Sequence, residues 1–325
     1  MAVPRMLQAE NIHKLKDSDS AIRETDTDAA HSRLSAVRQG YLVDPYLAPL
    51  VPRARFVPTR APLMNVGTYV RSTAIDMLVE SWLNLAGANT EKRQIDKGFR
   101  ERIASYVELD FTENTSRKAK AVMQSQPLSN ALGSDVKIDE SAAVRVLVHL
   151  ITILFHSTFE KGLPTLFIAE CVFVYMPPSA SGAILQWFSN TFGRAAGIVY
   201  EMFGLQDSFG KVLKDNLKAR HIELPGVDAF PTLNSQLSRY TSNGFSHSKG
   251  RTLKSIRREN IPVSELQRIS RLEHLDEIEE LELVLEHYSI TWGYSDRISG
   301  GELEGNNSLD QWDLSLQTHP IEETE

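Results

Sequence analysis

Residues 163–175 read LPTLFIAECVFVY, an apolar run that holds a single carboxylate, Glu170. The run follows Pro164 and reads as a buried strand. A strand that is apolar on both sides needs cover on both faces, which a sheet flanked by helices provides. The acid sharpens that constraint, because a carboxylate among Leu, Phe, Ile and Val is costly unless it is paired or leaves the core. Glu170 is therefore either a paired structural carboxylate or a strand-end acid that faces a polar ligand. The local residues leave both readings open.

The rest of the chain supplies helices and strands in alternation. TYVRSTAIDMLVESWLNLAG sets Val70, Ala74, Leu78 and Trp82 at four-residue steps, the spacing of an amphipathic helix. AAVRVLVHLITILF places Val144, Leu147, Val148, Ile151 and Phe155 on one helical face. YVELDF (106–111), GIVYEMF (197–203) and HYSITWGY (287–294) read as strands. Pro262 and the box Ser264-x-x-Gln267 open a helical region that runs to about Glu286. This order predicts an α/β fold with a mostly parallel sheet flanked by helices. With 325 residues, 42% of them hydrophobic, the chain can bury a core; one domain is expected over 26–294. The polar stretches 1–25 and 295–325 are expected to be disordered tails. Ligands of such sheets bind beyond the carboxyl ends of the strands, where Asp110 and Glu170 both fall.

Several function classes drop out. A formal net charge of −7, from 35 basic and 42 acidic residues, gives no argument for nucleic acid or an anionic membrane. The opening MAVPRMLQAENIHKLKDSDS lacks the apolar core of a signal peptide, and no apolar run approaches a membrane span. Cys171 is the only cysteine, so no internal disulfide can form. A cytoplasmic monomer is expected. Neither GxSxG nor GxGxxG occurs. SNGFSHSKGRTLKSIRRE (242–259) fails the Walker spacing and reads as a bend after a strand, then a solvated basic helix. His274 and His287 stand at no helical ligand spacing, so no metal is predicted.

Read together, TDTDAAHSRLSAVRQGYLVDPY, PLMNVGTYVRSTAIDMLV, YVELDF, PTLFIAECVFVYM and LDEIEELELVLEHYSITWGY resemble the leucine carboxyl methyltransferase family across residues 25–294. The GTYVR and AECVFVYM blocks carry the likeness, since several uncommon residues recur in order. The resemblance implies a class I S-adenosylmethionine methyltransferase that esterifies the C-terminal leucine of type 2A protein phosphatase catalytic subunits. It implies that Arg71 clamps the methionine carboxylate of the cofactor through two parallel charge-assisted bonds. By the same likeness Asp110 accepts from the ribose hydroxyls, Glu170 meets polar or cationic parts of the cofactor, and Tyr175 orients the substrate. Arg33, at a basic position of the family, would anchor the phosphatase's terminal carboxylate.

The likeness breaks between Gly87 and Asp110. The family pattern has a strand and a Gly-rich turn before YVELDF, whereas here GANTEKRQI (87–95) runs directly into DKGFRERIASYVELDF. A second expected strand, with an Asp-Leu pair bracketing adenine, is missing near Lys137–Ser141, where Asp139 is a poor substitute. A sheet short of one or two strands is expected, with a segment lost between Ile95 and Asp96. The alternative function is then a catalytically impaired variant that acts only as a phosphatase-binding module.

Overall fold

A computed structural model of the chain describes residues 5–87, 103, 105–132, 161–297 and 309–316. Helices α1 (Arg5–Arg38), α2 (Leu47–Leu50), α3 (Pro62–Gly87), α4 (Thr112–Gln124) and α5 (Gln126–Leu132) precede the first strand, β1 (Thr165–Glu170). Then come α6 (Pro178–Thr191), β2 (Arg194–Met202), α7 (Ser208–Ala219), α8 (Leu233–Thr241) and β3 (His247–Thr252). Helices α9 (Leu253–Glu259), α10 (Val263–Ile269) and α11 (Ile278–Glu286) lead to β4 (Tyr288–Asp296). The strands form one mixed sheet in the order β1-β2-β4-β3. β1 pairs with β2 in parallel, and β4 lies antiparallel between β2 and β3, so three strands point one way.

The period-two alternation of β2 explains the layers. Ala196, Ile198 and Tyr200 face one side, where they pack with Val70, Ala74 and Leu78 of α3 and with residues of α9, α10 and α11. Ala195 and Val199 face the other side, against Ile184, Leu185 and Phe188 of α6 and Tyr240 of α8. Both faces are covered, so the central strands β2 and β4 are buried almost throughout. Gly197 is required in β2, since a Cβ there would lie 2.1 Å from the Phe167 ring of its partner on β1. No described helix is long and apolar enough to cross a membrane.

Several expectations are corrected. The strand expected across LPTLFIAECVFVY ends at Glu170: Cys171 takes φ 51 and the chain turns into a 3-10 turn at Phe173–Tyr175. YVELDF forms no strand, and Tyr106 (78%), Val107 (41%) and Leu109 (42%) are exposed. The region from Pro262 is two helices, and Pro262 rather than Ser264 occupies the N-cap of α10. Residues 5–25 are helical rather than disordered. In the second expected tail, β4 continues to Asp296 and residues 309–316 pack on the body of the protein. There Trp312 is fully buried, and its indole N–H donates to Leu78 O at 2.9 Å. The helix expected at AAVRVLVHLITILF, the Ile95–Asp96 junction and Lys137–Ser141 lie outside the described residues.

Candidate active site

The site starts from the register of β1. Glu170 is opposite Tyr200 in a parallel pair, so both side chains lie on the α3 side of the sheet. Glu170 ends the strand because Cys171 adopts a left-handed backbone, which non-glycine residues seldom occupy. The Cys171 N–H donates to Tyr200 O at 2.7 Å and ties the turn to β2. At the last ladder position of β1, the Glu170 side chain stays 43% exposed, which resolves the cost of an acid in that run.

Arg71, on the second turn and a half of α3, reaches this strand end. Its Nε lies 3.3 Å from Glu170 Oε2, and its guanidinium sits over the Tyr200 ring at 5.2 Å. Burial works against the Arg71 charge, but Tyr200, Glu170 and Cys171 outweigh it and hold the pKa above the ordinary arginine value. Arg71 Nε is buried and makes no hydrogen bond, so its contact with Glu170 is one of charge alone.

A cavity of about 360 Å³ opens beside this pair. Arg33, Arg71, Asp110 and Glu170 all line it, although they come from α1, α3, the segment before α4 and the end of β1. Arg33 is held by Asp44 Oδ2 at 2.9 Å and by Ser72 Oγ at 3.2 Å. Asp110 Oδ1 accepts from the Phe111 N–H at 2.6 Å and from Asn114 Nδ2 at 3.2 Å, which fixes the carboxylate at the start of α4. Tyr175 is not part of the lining. It packs with Val174, Met202 and Leu205. Burial pushes the Tyr175 pKa up to about 12.

Sequence reasoning missed other charges in the wall. Asp76 stands one turn beyond Ser72 on α3 and also lines the cavity; burial raises its pKa, against the opposing pull of Arg33. Asp26 of α1 also lines the cavity, where burial and then Asp110 raise its pKa. It accepts from Arg117 Nη2 at 2.7 Å, while Lys118 pairs with Glu108. A polar interruption of the apolar face in VRSTAID was the one available signal for Asp76. Among the described residues no group of three or more His, Cys, Asp or Glu is placed to hold a metal ion.

The wall therefore offers cations and anions side by side, a donor set suited to a ligand that carries both charges. Comparison with known proteins agrees in direction. A family model described as leucine carboxyl methyltransferase matches residues 98–189. Leucine carboxyl methyltransferase 1 of Cryptococcus neoformans var. neoformans serotype D is 38% identical over 333 residues, covering 85% of this chain and 93% of its own. The Arabidopsis thaliana leucine carboxyl methyltransferase 1 homolog is 31% identical, over 86% of this chain and 91% of its own. The Bos taurus leucine carboxyl methyltransferase 1 is 30% identical, over 84% and 90%. The Cryptococcus alignment of 333 residues exceeds the 325 of the whole chain, so that relative carries residues within the span that this chain lacks.

Proposed function

Since the chain belongs to the leucine carboxyl methyltransferase family, we propose that this methyltransferase moves a methyl group from S-adenosylmethionine to the C-terminal leucine carboxylate of a type 2A protein phosphatase catalytic subunit, in the cytoplasm. The observation that carries the proposal is the meeting of Arg33, Arg71, Asp110 and Glu170 on one cavity from four separate segments. Arg71 takes the cofactor carboxylate; Glu170 takes its cationic part; Asp110 takes the ribose hydroxyls.

The chemistry needs little more from the protein. A terminal carboxylate is ionised at neutral pH, so no general base has to remove a proton. When bound, S-adenosylmethionine supplies a sulfonium methyl group, displaced with the bonding pair left on sulfur. The residues of the chain must place the nucleophile in line and exclude water from it. Arg33 suits the substrate carboxylate because Asp44 already shares its charge, so it orients the oxygen without fully quenching it. Tyr175, which ends the 3-10 turn after Glu170, supports that turn from outside the cavity.

The residues that this chain lacks relative to its Cryptococcus relative favour a second reading, a phosphatase-binding module that takes up no cofactor. Calorimetry with S-adenosylmethionine separates the two. Saturable binding is expected, together with transfer of labelled methyl to a peptide ending in leucine and none to its amide. No heat at high cofactor concentration would remove the enzyme and leave the module.

A further inference from the structure

A second ion pair lies directly behind the first, on the opposite face of the sheet. Glu201 follows Tyr200 in β2, and its Oε2 lies 2.9 Å from Arg239 Nη1 of α8, with both side chains almost wholly buried. Such a pair is a poor source of stability, because an apolar pair of similar volume does as well or better. This pair is costlier still, since Glu201 Oε1 and Arg239 Nε and Nη2 are buried with no hydrogen-bond partner. What the pair does hold is the turn after Glu170. The Arg239 guanidinium lies over the rings of Phe173 and Phe230, at 5.1 and 4.9 Å. Burial raises the Glu201 pKa, opposed by Arg239 and then by the main chain of Val174 and Phe173. From the far side the Gly226 N–H donates to Val174 O at 3.0 Å, and a Cβ at Gly226 would lie 2.4 Å from Phe173 O.

We propose that Glu201 and Arg239 are positioning residues: by gripping the Phe173–Tyr175 turn they keep Cys171 in its left-handed conformation and aim the Glu170 carboxylate into the cavity. The chain then reads as one lever. Residue 200 fixes the front of the site, through its ring under Arg71 and its carbonyl on Cys171. Residue 201 fixes the back. The proposal rests on the cavity being the cofactor site.

The test is a double-mutant cycle read by calorimetric S-adenosylmethionine binding on the full chain, with urea unfolding measured alongside. Glu170→Ala and Glu201→Gln are each expected to weaken binding about tenfold, equivalent to about 1.4 kcal/mol. The double variant is expected to be no weaker than Glu170→Ala alone, since Glu201 acts only through Glu170. A merely structural Glu201 would add its loss in both backgrounds, and that result overturns the proposal, as does wild-type affinity in Glu201→Gln. If Glu201→Gln fails to fold, Gly226→Ala decides: it displaces the same turn while leaving the buried pair intact, and must show the same non-additivity. Wild-type affinity in Glu170→Ala would instead overturn the cofactor-site reading itself, as would the absence of binding to the wild-type chain.

Discussion

Arg71→Met gives the sharpest test of the cavity. Methionine keeps the length and apolar character of the buried stem, so the change removes the charged head with little loss of packing. For folding the head counts for little. Its partner Glu170 is 43% exposed and remains hydrated when left alone, so the pair contributes about 0.2–1 kcal/mol. Loss of the guanidinium over Tyr200 adds about 0.5–1 kcal/mol. For binding the head counts for more. A hydrogen bond to a charged group contributes about 1.5–3 kcal/mol, so S-adenosylmethionine should bind about 10–150-fold more weakly. The assay compares that ligand with 5′-methylthioadenosine, which keeps the nucleoside and sulfur but lacks the amino-acid end. If Arg71 holds the carboxylate, the analogue binds wild type and variant almost equally. An equal penalty for both ligands would show that Arg71 acts on the shape of the site, and no penalty for either would place the cofactor elsewhere.

Other outcomes follow from the packing. Trp312→Ala removes a fully buried indole from the 309–316 segment and should cost about 3–5 kcal/mol. Thermal unfolding should drop by about 4–7 °C, and a shift under about 2 °C would mean that the segment does not pack on the body. Burial pushes the Cys171 thiol up to about 12. At pH 8 only about one molecule in 10⁴ then carries the reactive thiolate, against roughly one in four for a free cysteine. Iodoacetamide should therefore label native Cys171 at least about a thousandfold more slowly than the urea-unfolded chain; comparable rates, followed by mass spectrometry, would contradict the raised pKa of this half-buried thiol.

The parts of the fold that could be read in advance are those where burial leaves a mark on residue type. GIVYEMF and HYSITWGY fall almost entirely within β2 and β4, which are covered on both faces, and their β-branched and aromatic residues Ile198, Val199, Tyr200, Ile290, Trp292 and Tyr294 mark them as strands. β3, HSKGRT, escaped because it is an edge strand, half-buried along its length and without a Val, Ile, Leu or aromatic residue. α1 escaped for a different reason. The residues it turns inward include Ser35 and Ala36, small enough for close approach to its neighbours but too weakly apolar to show a periodicity. The end of β1 could not be read because it depends on the φ of one cysteine, set by the turn beyond it and not by its own side chain. Asp26, Arg117 and Lys118 were invisible as site residues because charges on helices ordinarily mark a solvated face; only the packing of α1 beside α4 turns them toward a common space.

That common space also bears on which ligand it can accept. A wall of cations alone would repel itself before any ligand arrived. Here Arg71 and Glu170 compensate each other at 3.3 Å while both border the cavity. A ligand with a single negative charge would satisfy Arg71 but leave Glu170 facing it as a like charge, and a purely cationic ligand would meet the opposite problem. A ligand with a carboxylate and an ammonium or sulfonium group close together exchanges one internal pair for two external ones and leaves neither protein charge stranded, so its desolvation is offset on both sides. The pair that stabilises the empty cavity thus selects a zwitterion. S-adenosylmethionine should bind more tightly than an analogue with its carboxylate masked or one with its amine masked. Equal affinity for all three would remove the pair from any role in recognition.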